Sequence, residues 1–238
     1  MRIALIGYGK MGKAIESIAL AKGHEIVLKI DLDNGHEMNP ENLSKADVAI
    51  EFTGPSGAAA NLLKCAAAGI RVVSGSTGWL EQLDLVKDEF EKKGSAFLYA
   101  SNFSIGVNIF FELNKKLAVL MAPHQEYEVE MLEIHHTQKK DAPSGTAITL
   151  AEQVMSEIPS LKTWVNRIAT QAGELPIISK RLDPAPGTHE VRYRSPIDDI
   201  EIIHTAHNRE GFAGGAVLAA EYIKDKKGIF SMKDVLGF

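Results

Sequence analysis

Gly7-Tyr8-Gly9-Lys10-Met11-Gly12 follows the apolar run Arg2 to Ile6 directly and opens a stretch, Lys10 to Lys22, that sets Met11, Ile15, Ile18 and Ala19 on one helical face. A strand that turns on glycines into a helix narrows the choice of folds more than any other feature of this chain. The glycines let the backbone turn tightly and approach a ligand, while the first NH groups of the helix stay free for an anion. Asp31 closes the next strand candidate, Glu25 to Ile30, about 20 residues on, where a carboxylate takes ribose hydroxyls, with Asp33 as a second choice. The set Gly7, Tyr8, Gly9, Lys10, Met11, Gly12 and Asp31 therefore reads as a dinucleotide site, against the blander reading of a glycine turn used only for packing. Leu32 rather than an arginine follows Asp31, so nothing there greets a 2'-phosphate. NADH is favoured slightly over NADPH, and Lys10 suits either.

The rhythm continues through Val48 to Phe52 (strand), Ser56 to Ala68 (helix), Arg71 to Ser74 (strand), Leu80 to Lys92 (helix) and Ala96 to Ala100 (strand). Short apolar runs alternating with helices imply a Rossmann-type parallel sheet covered on both faces. After Ser104 the pattern changes: a long helix, Ile105 to Met121, precedes strands at Glu126 to Ile134, Ile177 to Leu182, Thr188 to Arg194 and Asp199 to Thr205. The expected architecture is α/β: a dinucleotide domain, residues 1–104 and 209–238, and an α+β substrate-binding and oligomerisation domain, 105–208, with a mixed or antiparallel sheet. The helix expected at Gly214 to Lys224, rich in small residues, returns to the first domain.

Two more loops belong to the carboxyl ends of the parallel strands, where ligands of open sheets collect. Gly75, Ser76 and Thr77 follow one strand, and Ala100, Ser101, Asn102 and Phe103 follow another, with the Asn102 amide suited to a carboxamide and Phe103 to walling a ring. Taken singly, each loop also reads as a mere turn.

Composition excludes several classes. No run approaches the roughly 20 apolar residues of a membrane span, and the start of the chain lacks a secretory signal, so a cytoplasmic location is expected without a membrane partner. A net charge of -5 gives no basic footprint for nucleic acid. The single cysteine, Cys65, excludes an internal disulfide and a cysteine-rich metal site, and its neighbours Leu62, Leu63 and Ala66 mark it as a buried small hydrophobe.

The densest chemistry lies in His135-His136-Thr137-Gln138-Lys139-Lys140-Asp141-Ala142-Pro143-Ser144-Gly145-Thr146. Adjacent histidines on a regular strand point to opposite faces, so the chain must leave strand geometry near His136 if both serve one ligand. Ser144 before a helical run reads as an N-cap that aims the Gly145 and Thr146 NH groups at an anion. Histidine suits proton transfer near neutral pH; lysine offers either a point charge for a carboxylate or a proton for a developing carbanion. A small, doubly negative substrate fits such a place. Metal binding by His135 and His136 is disfavoured, because no third ligand with recognisable spacing follows, and no metal is expected. His189 reads as an ordinary histidine, although Gly187-Thr188-His189 suits a place in the same pocket.

Glu133-Ile134-His135-His136-x-x-Lys139-x-Asp141-Ala142-Pro143-Ser144-Gly145-Thr146-Ala147, with Ser101-Asn102-Phe103-Ser104-Ile105-Gly106-Val107-Asn108 and the Gly-Ser-Thr-Gly loop, closely resembles the 4-hydroxy-tetrahydrodipicolinate reductase (dihydrodipicolinate reductase) family over essentially the full chain. The resemblance implies an NADH- or NADPH-dependent reduction of a cyclic imine dicarboxylate in lysine and diaminopimelate synthesis. It implies His135 as acid or base, Lys139 as proton donor, and His136, Gly145 and Thr146 as holders of the substrate carboxylates. It implies the cofactor on Gly7 to Gly12, Asp31, Gly75 to Thr77 and Ala100 to Phe103, and a homotetramer built through the sheet of the middle domain.

The chain departs from that pattern in a glycine loop one residue shorter than Gly-x-x-Gly-x-x-Gly, in Thr137 where arginine is common, and in Asp183-Pro184 where glycine usually follows Arg181. It is also short for the family, with the difference expected in surface loops of the first domain. The competing functions are another small-molecule dehydrogenase of the same architecture and a module that senses NADH without chemistry.

Overall fold

The computed structural model describes residues 1–208 and 210–238, so the domain boundary expected at 209 lies outside the described residues. The chain divides into two compact units, Met1–Ile105 with Glu210–Phe238, and the intervening stretch from Gly106.

In the first unit, β1 (Arg2–Ile6), α1 (Lys10–Ala21), β2 (Glu25–Ile30), a 3-10 turn (Leu32–Glu37), α2 (Pro40–Leu43), β3 (Val48–Glu51), α3 (Ala58–Ala67), β4 (Arg71–Ser74), α4 (Leu83–Lys92) and β5 (Ala96–Tyr99) follow in order. The second unit holds most of α5 (Ile105–Met121), then β6 (Glu128–His135), α6 (Gly145–Glu157), β7 (Thr163–Val165), β8 (Glu174–Arg181), β9 (Gly187–Arg194) and β10 (Asp199–Ala206). The chain returns to the first unit with α7 (Glu210–Ile223), β11 (Gly228–Phe230) and α8 (Met232–Leu236).

The first sheet has the order β11-β5-β4-β3-β1-β2 with every neighbouring pair parallel. Its strands are apolar on both faces because helices cover both. Ala4, Ile6, Ala49, Val72 and Phe97 pack with Leu62 and Ala66 of α3 and Val86 and Phe90 of α4. Ile3, Leu5, Ile50, Val73 and Leu98 pack with Ile15 of α1 and the small face of α7, Ala213, Ala216, Ala219 and Ala220. Small residues there let the helix approach closely: a Cβ on Gly215 would lie 1.8 Å from the Phe103 carbonyl oxygen. Strand order reverses between β1 and β3, the place at which open parallel sheets bind ligands.

The second sheet, β10-β9-β6-β8-β7, is mixed: β6 runs antiparallel to β9 and parallel to β8. Its inner face, Met131, Leu175, Ile177, Val191 and Tyr193, packs on Phe110 and Ala118 of α5 and Leu150, Ala151 and Val154 of α6. By alternation Leu132, Ile134, Ile178 and Ile203 occupy the other face, where Ile203 is 54% exposed.

Element limits differ from the sequence reading where tertiary pairing overrides local pattern. The helix expected from Leu80 begins as a 3-10 turn, Leu80–Gln82, the one expected from Gly214 starts at Glu210, and β8 starts at Glu174 rather than Ile177. Strands β7 and β11, three residues each, carry no alternation long enough to read.

Candidate active site

At the glycine turn each glycine has its own reason. Gly7 adopts φ +91°, and a Cβ there would meet the Phe52 carbonyl oxygen at 2.2 Å; a Cβ on Gly12 would meet the Gly7 oxygen at 2.3 Å. Those two let β1, β3 and α1 touch. Nothing lies within 4 Å of a Cβ on Gly9, which is the N-cap of α1 and gives it no side-chain cap. The opening NH groups of α1 thus lack a capping side chain beneath open space, with no acidic residue in the first turn to repel an anion. This cradle fits a dinucleotide pyrophosphate.

Asp31 sits exposed at the end of β2 and caps the 3-10 turn, accepting from the Leu32 NH at 2.9 Å through one carboxylate oxygen. Tyr8 is held sideways: its hydroxyl donates to Glu16, and the Lys29 ammonium lies 4.9 Å from its ring centre and 2.7 Å from Glu16. The phenol is raised above its ordinary pKa, first by the bond to Glu16. Lys10 and Met11 open α1, and Lys10 is exposed. Ser76 is buried and Thr77 exposed after β4, while Ala100, Ser101 and Asn102 lie after β5 with Ser101 exposed. Phe103 differs from the expectation of a ring wall. Its side chain is 2% exposed and packs on Phe52 at 5.6 Å between ring centres, so what it offers a ligand is backbone.

In the second unit the chain leaves β6 after His135, and the Lys139 NH closes a turn on the His136 carbonyl at 3.1 Å. His135 is therefore buried in the strand's inner face while His136 is half-buried in the turn. Ser144 caps α6, accepting from the Ala147 NH at 3.2 Å, so the Gly145 and Thr146 NH groups open the helix without intrahelical partners.

The centre of this region is Glu133, which is fully buried. It accepts from the Ser144 NH (3.0 Å), the Ser179 hydroxyl (2.7 Å) and the Arg181 guanidinium (3.2 Å). Burial pushes its carboxyl up, but the bonds from Ser144 and Ser179 outweigh that and hold it below the ordinary value. His135 Nδ1 lies 3.5 Å from Glu133, and His189 stands beside it with 5.0 Å between ring centres. His189 Nε2 is 3.0 Å from the Ser144 hydroxyl. Burial drives His189 down to about 3, so it is neutral near pH 7. Burial also lowers His135; Glu133 opposes this, and Lys139 and Arg181 add to it. Gly187 leaves His135 its room: a Cβ there would stand 3.1 Å from His135 Nε2, so the imidazole would have to shift by a few tenths of an ångström.

Lys139 pairs with Asp141 at 2.7 Å, and Arg181 donates to the Asp141 carbonyl at 2.6 Å, tying the turn to the Glu133 group. Burial alone would raise the Asp141 carboxyl, yet the bond from Lys139 leaves it low. Thr137 and Asp183, two of the unusual positions, meet each other: the Thr137 hydroxyl donates to Asp183 at 2.5 Å and its NH at 3.2 Å. Ligand atoms of Glu133, His135 and His189 lie within 4.8 Å of one another, the residue types of a metal set. Both Glu133 oxygens are, however, already engaged by Ser144, Ser179 and Arg181.

The structure thus joins His135 and Lys139 through Glu133, Arg181 and Asp141, and of the two readings open for His189, an ordinary histidine or a neighbour in this pocket, it bears out the second. Glu133, Ser179 and Arg181 were not singled out, because β8 and β9 reach β6 from more than forty residues away.

Two family models divide the chain between them: the dihydrodipicolinate reductase N-terminus matches residues 1–103 and the dihydrodipicolinate reductase C-terminus residues 106–236. The chain belongs to the dihydrodipicolinate reductase family. A 4-hydroxy-tetrahydrodipicolinate reductase of Christiangramia forsetii is 53% identical over 99% of this chain and 98% of its own length. One of Methanosarcina barkeri is 37% identical over 97% and 83%. Among solved structures, a dipicolinate-bound dihydrodipicolinate reductase from Paenisporosarcina sp. TG-14 superposes with a TM-score of 0.78 at 27% identity, covering 97% of each chain.

Proposed function

We propose that this oxidoreductase reduces 4-hydroxy-tetrahydrodipicolinate to tetrahydrodipicolinate in lysine and diaminopimelate synthesis, and that His135 and Lys139 carry the proton chemistry. The observation that carries the reading is a buried imidazole, His135, held beside Glu133 in a group that shares Ser144 with the start of α6. Free NH groups at Gly145 and Thr146, with His136 and Lys139 nearby in sequence, suit the carboxylates of a small dianion. Binding such a ligand gives Lys139 a second anion in place of Asp141 and draws electron density from the ring that accepts the hydride. Lys139 or His135 delivers a proton to the adjacent ring atom, and the 4-hydroxyl leaves the ring as water, so that hydride, proton and lost water together give tetrahydrodipicolinate.

A nicotinamide dinucleotide supplies the hydride. Gly7, Tyr8, Gly9, Lys10, Met11 and Gly12 would hold its pyrophosphate, Asp31 its ribose, and Gly75, Ser76, Thr77, Ala100, Ser101, Asn102 and the Phe103 backbone its nicotinamide end. The absence of an arginine after Asp31 supports NADH slightly over NADPH.

The reading includes a cytoplasmic location and a homotetramer. Supporting the latter, Leu132, Ile134 and Ile178 lie together on the second sheet's outer face, with Glu190 between them and the exposed Ile203, and with Arg192 paired with Asp199 at 2.5 Å on the same face. Among the described residues no helix is long and apolar enough to cross a membrane.

The test is the fall in absorbance of NADH and, in parallel, NADPH when 4-hydroxy-tetrahydrodipicolinate, the condensation product of pyruvate and aspartate semialdehyde, is supplied. Oxidation dependent on that substrate is expected, faster with NADH at low concentration. Cofactor binding without turnover would overturn the reading in favour of a sensing module.

A further inference from the structure

Glu51 ends β3, at the place where strand order reverses between β1 and β3. It is fully buried at the end of a strand whose other residues, Val48, Ala49 and Ile50, are apolar. One oxygen accepts from the Thr53 NH (2.9 Å), the Thr53 hydroxyl and the Ser76 hydroxyl (2.7 Å), and the other from the Ser74 hydroxyl at 2.6 Å. Its carbonyl accepts from the Gly75 NH at 2.9 Å. Among the described residues no lysine, arginine or histidine pairs with it.

A buried carboxylate satisfied only by neutral donors is an expensive way to fasten two loops, since hydroxyl and amide groups or plain apolar packing would do so without desolvating a charge. The arrangement makes sense if a positive charge arrives with the ligand. Loss of a hydride leaves the nicotinamide ring cationic, whereas the reduced ring is neutral. The loops that Glu51 organises, through Thr53, Ser76 and Gly75, adjoin the seat given above to that ring.

We infer that Glu51 is an electrostatic positioning residue of the dinucleotide site: its buried carboxylate fixes the loops after β3 and β4 and favours the oxidised, cationic nicotinamide over the reduced one. The inference rests on the assignment of the first unit to a nicotinamide dinucleotide. In a site shielded from water, a charge that attracts the cationic product also attracts the charge growing on the ring as hydride leaves.

Dissociation constants for NAD+ and NADH, measured by calorimetry on the wild-type chain, Glu51→Gln, Glu51→Leu and Glu51→Asp, test this. Removing the charge raises the ratio Kd(NAD+)/Kd(NADH) roughly three- to tenfold. Glu51→Leu, which fills the space without a polar group, carries the test if Glu51→Gln does not fold. Glu51→Asp keeps the charge and keeps the ratio within about twofold of wild type, even where both affinities fall. A merely structural Glu51 weakens both cofactors equally, and an unchanged ratio in a neutral variant overturns this inference alone. A wild-type chain that binds neither dinucleotide overturns the cofactor assignment together with it.

Discussion

Replacing Glu133 with glutamine changes no volume yet strikes the centre of the second unit's polar group. The carboxylate accepts from Ser144 and Arg181 on different oxygens. An amide nitrogen must therefore face either the fixed Ser144 NH or the guanidinium, and a donor meets a donor in both orientations. A lost bond to a charged group is worth about 1.5–3 kcal/mol, and removing one partner of a buried ion pair costs about 3–5 kcal/mol. Arg181 retains 21% side-chain exposure, which places the sum at the lower end, about 3 kcal/mol. For a chain of this length that lowers Tm by roughly 6–12 °C, and urea unfolding of Glu133→Gln against wild type gives the free energy directly. The same substitution removes the charge that opposes the burial-driven lowering of His135, so the imidazole titrates at still lower pH in a ring-proton NMR titration. A loss below about 1 kcal/mol, or a His135 titration that moves upward, would refute the reasoning.

Gly215→Ala puts a Cβ 1.8 Å from the Phe103 carbonyl oxygen and should cost about 3 kcal/mol or more, whereas Gly214→Ala, whose nearest neighbour is the far end of Ile18 at 4.0 Å, should be neutral or stabilising by about 0.5–1 kcal/mol; thermal melts of the two variants compare them. Acid should destabilise the fold through His189. Its pKa is depressed to about 3 from 6.5, so the unfolded chain binds the proton first; stability is complete above pH 6.5 and drains as pH falls toward 3. At about 1.4 kcal/mol per unit this is a few kcal/mol, and His189→Gln should flatten the dependence of unfolding free energy on pH in that window.

What the sequence made legible was whatever depends on near neighbours. The turn from β1 to α1, the exit from β6 at His136 and the Ser144 cap each follow from residues a few positions apart, and each stands where the pattern put it. The sequence allows His189 a place in the pocket and carries Glu133 in its motif, but the partnership of the two depends on the pairing of β6 with β9, which no spacing in the chain announces. Glu51 lies inside the strand read from Val48 to Phe52, but nothing in that run marks it as buried among hydroxyls, because Ser74 and Ser76 are brought to it only by the pairing of β3 with β4. Phe103 shows the opposite error. An aromatic ring in a ligand loop suggested a wall, but α7 packs its glycine against that backbone and the ring turns into the core.

The most direct test of the account is the turnover number of His135→Gln and Lys139→Met at saturating NADH and 4-hydroxy-tetrahydrodipicolinate. Both should fall by about 10²- to 10⁴-fold while each variant still binds NADH as the wild type does. Turnover within about threefold of wild type in both variants would contradict the assignment of proton transfer to this pair.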